Sequence, residues 1–244
     1  MRLPEIEKMY RLEDSYWWYV GRRYLVKSCL RRLLRAQKSP AKILDVGCGT
    51  GATLTILDQF GEAWGCDLSP ESLAFCRQRG HARLKQCPAE ALRFEDGEFV
   101  VVTCLDVLEH VDDQAAVREL RRVCKPGGRL LIAVPAYQFL WSGHDEALHH
   151  KRRYTAGQLK RLLTGGGLQV ERLTYIITFL FLPILVFRLL QKLRPRRGNP
   201  QTDHIILPKP LNDLLIAILR LETSLVSWLR LPFGVSVFCI CRRP

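Results

Sequence analysis

Gly47, Gly49 and Gly51 stand at alternate positions directly after the short apolar run Ile43-Leu44 and its acid, Asp45. Glycine lets the backbone take positive φ and lets a ligand approach with no Cβ in the way. A turn that opens a helix also leaves backbone N–H groups facing outward, ready for a polar ligand. The spacing is Gly-x-Gly-x-Gly, and the dinucleotide loop reads Gly-x-Gly-x-x-Gly, so a pyrophosphate is the less natural ligand. On this stretch alone, a strand-to-helix turn without any ligand stays open. Further along, Glu62-Ala63-Trp64-Gly65-Cys66-Asp67 reads as a second strand ending in an acid. A carboxylate at that point can accept hydrogen bonds from both hydroxyls of a ribose.

A second set of chemical groups lies in Phe139 to Tyr154, the densest polar cluster of the chain. Here His144, Asp145, Glu146, His149 and His150 can supply a general base, since an ordinary imidazole titrates near neutrality and a neighbouring carboxylate can orient it. The same groups can ligate a metal, although loop histidines are more often simply hydrogen-bonded. Thr155-Ala156-Gly157-Gln158 then reads as a capping box, with Leu159, Leu162 and Leu163 behind it and Gly165 ending the helix.

The elements that must position these groups alternate strand and helix from residue 42 to 134, which implies right-handed crossovers onto a mostly parallel sheet. Strands are expected near 42 to 46, 62 to 67, 82 to 86, 98 to 105 and 128 to 134, then at Leu168 to Tyr175 and Gly234 to Arg242. Phe99-Val100-Val101-Val102 and Leu130-Leu131-Ile132-Ala133-Val134 are continuously apolar, as strands buried on both faces are. Ligands of such sheets sit beyond the strands' carboxyl ends.

With these pieces in order, the chain resembles the class I S-adenosylmethionine-dependent methyltransferases. The resemblance rests on the glycine loop, Asp67, Cys87-Pro88-Ala89-Glu90-Ala91-Leu92, Leu105-Asp106-Val107-Leu108-Glu109-His110-Val111 and Lys125-Pro126-Gly127-Gly128-Arg129-Leu130. It implies an α/β fold: a Rossmann-like, doubly wound, mostly parallel seven-stranded sheet with an antiparallel last strand. N-terminal helices precede the sheet, and a hydrophobic helical insertion separates the last two strands.

The cofactor implied is S-adenosyl-L-methionine. Its site would comprise Asp45, Gly47, Cys48, Gly49, Thr50 and Gly51, with Asp67 and Leu68 at the ribose, Ala89 and Glu90 at the base, and Leu105 and Asp106 beyond the fourth strand. Trp17 and Trp18 would close over it as part of a lid. Two positions depart from the family pattern. Pro88 stands where relatives commonly carry an acid after the third strand, and Val100 replaces the usual aspartate of the fourth. The resemblance places His144, Asp145 and His149 over the acceptor, and His110 near the cofactor or as base. Methyl transfer from a sulfonium needs no metal, and none is expected.

Length and composition frame the remainder. The 244 residues are 48% hydrophobic and suit one methyltransferase domain. Its parts are an N-terminal helical lid at 1-38, a cofactor-binding core at 39-175 and 232-244, and a hydrophobic and amphipathic insertion at 176-231. The nine cysteines show neither zinc spacing nor a disulfide framework, which favours a reducing cytoplasmic setting. No apolar run follows the first residues, so no secretory signal is expected.

Helices are expected over residues 4 to 14 and 20 to 36, with the aromatic pair Trp17 and Trp18 between them. Arg22, Arg23, Lys27, Arg31, Arg32 and Arg35 read as a solvated or phosphate-facing helix surface. Ile176 to Phe187 is too short an apolar run to span a bilayer, and Arg188, Lys192, Arg194, Arg196 and Arg197 follow it. Leu211 to Arg230 repeats apolar residues at helical spacing. Two helices with a basic flank read as a peripheral contact with the inner face of a membrane, or as a substrate lid.

The net charge of +13 calls for an anionic partner. The function expected is O-methylation of a small or lipid-like acceptor at a membrane surface. One alternative is a nucleic-acid methyltransferase, although the Asn/Asp-Pro-Pro-aromatic and Pro-Cys motifs of those enzymes are missing after the fourth strand. The other is an inactive cofactor-binding scaffold at a membrane.

Overall fold

The computed structural model describes residues 3–37, 39–193 and 206–244. Two helices, α1 (Leu3–Leu12) and α2 (Trp17–Leu33), lead into an alternating core. That core runs β1 (Ala41–Val46), α3 (Ala52–Leu57), β2 (Gly61–Asp67), α4 (Pro70–Gln78), β3 (Leu84–Gln86), β4 (Phe99–Leu105), α5 (Asp113–Val123) and β5 (Cys124–Pro135). After it come α6 (Gly143–Ala147), α7 (Ala156–Gly165), β6 (Gln169–Ile176), α8 (Phe181–Leu193), α9 (Lys209–Val226) and β7 (Ser236–Arg242).

The seven strands form one sheet in the order β3-β2-β1-β4-β5-β7-β6. Pairs from β3 through β5 are parallel, and β7 runs antiparallel to both β5 and β6. The order reverses between β1 and β4, so a crevice opens beyond their carboxyl ends, where α/β folds bind ligands.

The apolar strands feed both faces of the sheet. Leu44, Val102, Leu130 and Ile132 pack with Leu120 of α5 and Leu163 of α7. Ile43, Val101 and Leu131 pack with Leu30 of α2, Leu54 of α3 and Leu219 of α9. Burial of this kind contributes about 25 cal/mol per Å² of apolar surface and stiffens the floor under the crevice.

Several expectations shift in detail. Trp17 and Trp18 do not lie between helices but form the first turn of α2. Ile176 closes β6, and Ile177 turns out of the sheet at φ 61, so the apolar run becomes a strand end, a turn and then α8. The basic residues Arg194, Arg196 and Arg197 lie outside the described residues. Thr155 and Gln158 form the anticipated capping box at the start of α7. Among the described residues, no helix is long and apolar enough to cross a membrane.

Candidate functional site

The glycine loop leaves β1 with Gly47, Gly49 and Gly51 at φ 71, 54 and 91. A Cβ at Gly47 would sit 2.3 Å from Val107 Cγ2, so side-chain-free backbone is needed where the loop meets the residues after β4. Gly47 N and Cys48 N both donate to Cys66 O, at 2.8 and 3.0 Å, which ties the loop to β2. Asp67 accepts from Gly49 N at 3.0 Å and from Ser69 N at 2.9 Å. Burial raises the Asp67 carboxyl above the usual carboxylate range, and the Ser69 and Gly49 amides pull the other way.

Beneath the loop, Asp45 is buried and accepts from Thr103 Oγ1 at 2.5 Å. Burial pushes its pKa up to about 7, against the pull of Thr103.

A cavity of about 930 Å³ opens from this loop across the carboxyl edge of the sheet to α8. That is the upper end of the roughly 300–1,000 Å³ of ordinary small-molecule clefts, with room for a nucleoside ligand and a second reactant. Asp45, Gly47, Cys48, Gly49, Asp67, Leu68, Ala89, Glu90, Leu105, Asp106, Trp17 and Trp18 all line it. Thr50 and Gly51 do not. Thr50 is fully buried and its hydroxyl donates to the Glu13 carboxylate, while Gly51 is the N-cap of α3.

His110, His144 and His150 also stand on the cavity wall. His149 is not on the wall; it takes φ 57 in the turn after α6. Asp145, expected to act on the acceptor, is instead fully buried. Arg153 grips it through Nε at 2.7 Å and Nη2 at 3.0 Å, Ser142 N donates at 2.9 Å, and His150 Nδ1 lies 2.9 Å away. Burial alone would raise this carboxyl, but His150 and Arg153 outweigh it and hold Asp145 well below the usual range. The paired carboxylate thus anchors the loop and holds the ring of His150, which lines the cavity.

Glu109 is fully buried, and neither of its carboxylate oxygens has a hydrogen-bond partner. Burial, reinforced by Asp106, pushes it well above the usual range. Burial also lowers His110 to about 4. Glu109, His110 and His150 each bring one ligand atom within 4.8 Å of the others, so these are the described residues that can share a divalent ion. The chemistry of methyl transfer gave no reason to expect such a cluster.

Arg22 departs from the reading of these basic residues as a solvated or phosphate-facing surface, while Arg31, Arg32 and Arg35 are exposed. It is 8% exposed, lines the cavity and donates to Asp106. Its place four residues after Trp18, on the same helix face, was the available signal. Arg188, read as a basic flank, is also buried and donates to the Ser142 hydroxyl.

A family model described as a methyltransferase domain matches residues 44–132. The ubiquinone biosynthesis O-methyltransferase of Thiobacillus denitrificans is 32% identical over 161 residues, covering 57% of this chain and 69% of that one. The protein of the same name from Methylococcus capsulatus is 36% identical over 146 residues, covering 54% and 62%. Among solved structures, an S-adenosylmethionine-dependent methyltransferase from Mesorhizobium loti shares the fold with a TM-score of 0.58 at 16% identity, over 88% of this chain and 96% of that one.

Gly47 and Gly49 form a side-chain-free cradle with the Asp67 carboxylate beside it, and these features fit an adenosyl amino acid. Motifs, sheet order and relatives converge, and the chain belongs to the class I S-adenosyl-L-methionine-dependent methyltransferases.

Proposed function

We propose that the protein O-methylates a lipid-like acceptor at the inner surface of a membrane. The observation that carries this reading is the continuity of the cavity. From the glycine loop it runs past the histidines to a wall of Pro183, Ile184, Phe187, Leu207 and Leu215, which is suited to an apolar tail. The relatives named for ubiquinone biosynthesis are O-methyltransferases, and that acceptor chemistry is carried over here.

S-adenosyl-L-methionine supplies a methyl group on a positively charged sulfur, whose electron pair stays behind when the bond breaks. The protein's part is to align the two reactants and keep water out. In this assignment the glycine loop, Asp67 and Arg22 hold the cofactor's end of the cavity, and Trp17 and Trp18 cover it. His110 and His144 face the acceptor's hydroxyl.

Support for a membrane comes from the outside of the same helices. Leu182, Val186, Leu189 and Leu190 of α8 are 66, 47, 50 and 52% exposed. Leu211, Leu214 and Leu221 of α9 are 42, 56 and 60% exposed. Contiguous apolar surface of this kind marks an interaction site, and a protein of charge +13 favours an anionic one. Each basic residue close to an anionic leaflet is worth about 1 kcal/mol.

Sedimentation with vesicles containing phosphatidylglycerol tests the reading. The intact protein is expected to co-sediment and to lose part of its binding in high salt, whereas a Val186→Ser, Leu189→Ser, Leu190→Ser variant stays in solution. With labelled cofactor and a prenylated phenol as acceptor, the label is expected in the organic extract. An intact protein that ignores vesicles, with label only in the aqueous or RNA fraction, would end the proposal.

A further inference from the structure

The first N–H groups of a helix need acceptors that the helix cannot itself supply. At the start of α2 the N-cap is Tyr16, whose side chain caps nothing. The missing acceptor comes from α9, almost 200 residues on. Asn212 Oδ1 takes Trp17 N at 2.9 Å, and Asn212 Nδ2 donates to Ser15 O at 2.9 Å. Further along the same interface, Leu219 fills the space over Gly21, where a Cβ would stand 2.3 Å from its Cδ1. Arg220 donates to the Tyr24 hydroxyl and lies 4.1 Å over its ring. In this way α9 fixes the helix that presents Trp17, Trp18 and Arg22 to the cavity.

The same helix also holds the segment that leads into α8. Ile177 is a β-branched residue in the left-handed region, at φ 61, which its neighbours must enforce. The amides of Ile177, Thr178 and Phe179 all donate to the Glu222 carboxylate, those of Thr178 and Phe179 at 2.7 and 3.1 Å. Glu222 is 3% exposed, so this clamp is shielded from water. The turn it clamps leads directly into α8, which carries Pro183, Ile184 and Phe187 on the cavity wall. One helix therefore grips the entrance to α2 with Asn212 and the entrance to α8 with Glu222, while its outer leucines face away from the protein.

We propose that α9 joins the two walls of the cavity into one moving part, and that seating its outer face on an anionic lipid surface closes the cap over the cofactor. The lipid trigger rests on the membrane reading above; the joining of the walls does not. Leu211, Leu214 and Leu221 provide the apolar stripe, and Trp228 and Arg230, both exposed, continue it past the helix end in the manner of an interfacial anchor. A surface that orders α9 removes part of the entropy that closure costs, so cofactor binding tightens. By linkage, bound cofactor must tighten lipid binding by the same factor.

Titration calorimetry of the full chain with S-adenosyl-L-homocysteine tests this, in buffer and with vesicles of phosphatidylcholine and phosphatidylglycerol. The expected result is affinity about fivefold or more higher with vesicles, within the range usual for coupled sites. Asn212→Ala is expected to keep vesicle binding and lose that enhancement. If the protein binds vesicles and its cofactor affinity does not change, the lipid trigger is wrong. If it does not bind vesicles, the membrane reading has failed, and the joined walls are judged in buffer alone. There, Asn212→Ala and Glu222→Gln, each checked for native circular dichroism, are combined in a double-mutant cycle on cofactor affinity. Non-additive losses support joined walls, and strict additivity overturns them. Should Glu222→Gln not fold, Glu222→Asp takes its place in the cycle.

Discussion

The Arg22 guanidinium donates to both carboxylate oxygens of Asp106, at 2.8 and 3.4 Å, and so fastens α2 to the carboxyl end of β4. Asp106 takes φ 57, a conformation that aspartate tolerates better than most residues. The pair thus spans the cavity between its cap and its floor. Truncating Arg22 to alanine leaves Asp106 without that partner, and cofactor affinity is expected to fall by on the order of 1.5–3 kcal/mol. Arg22→Lys is expected to rescue little, since a single ammonium does not reproduce the fork. Calorimetry with S-adenosyl-L-homocysteine checks both; unchanged affinity in Arg22→Ala would show the pair to be incidental.

Asp45 predicts a pH dependence of stability. Its folded pKa of about 7 lies above the ordinary 3.8, so its contribution to stability is complete below the unfolded value and is lost as pH rises through about 7. A difference of that size corresponds to roughly 4 kcal/mol. Asp45→Asn keeps an acceptor for Thr103 and removes the titration, so its urea-unfolding free energy is expected to vary less between pH 5 and pH 8 than that of the parent. Parallel pH profiles in the two proteins would contradict the assignment.

The acceptor loop separates three residues that look alike in sequence. His144→Ala is expected to lower turnover with little change in cofactor affinity, because His144 lines the cavity. His149→Ala is expected to leave both nearly intact. Asp145→Ala strands the buried Arg153, and breaking such a pair costs about 3–5 kcal/mol, so that variant is expected to lose stability before it loses chemistry. Thermal melts beside turnover rates distinguish the three outcomes; equal loss of turnover at all three positions, with melts unchanged, would overturn this division.

Glu109, His110 and His150 call for a chelator experiment. Turnover that disappears with EDTA and returns with a divalent ion would make the cluster a metal site, and Glu109→Gln is then expected to raise the ion concentration needed. Turnover indifferent to EDTA leaves the unpartnered Glu109 carboxyl as a contact for the acceptor.

The sequence alone determined the parts of this protein whose cause is local or periodic. The glycine spacing after Asp45, the acid at Asp67 and the apolar runs at Val100 to Val102 and Leu130 to Val134 specified a doubly wound sheet and its carboxyl edge, and the eighteen-residue helix α9 followed from apolar periodicity, whereas α8 lies in an apolar run without a period of its own. Helical periodicity reports which face of an element is apolar, not which element covers it. Hence neither the burial of Arg22 against Asp106 nor that of Asp145 against Arg153 could be read from spacing. Thr50 belonged to the loop by spacing, yet folding turned its hydroxyl to Glu13. His150 and Glu109 became neighbours because α6 and the end of β4 converge on one edge, and Asn212 became the cap of α2 because a helix end accepts any correctly placed oxygen, however distant in the chain. Charge and hydrogen-bonding partners were decided by tertiary packing, because burying a polar group costs several kcal/mol unless a partner is brought to it, and only the folded chain brings one.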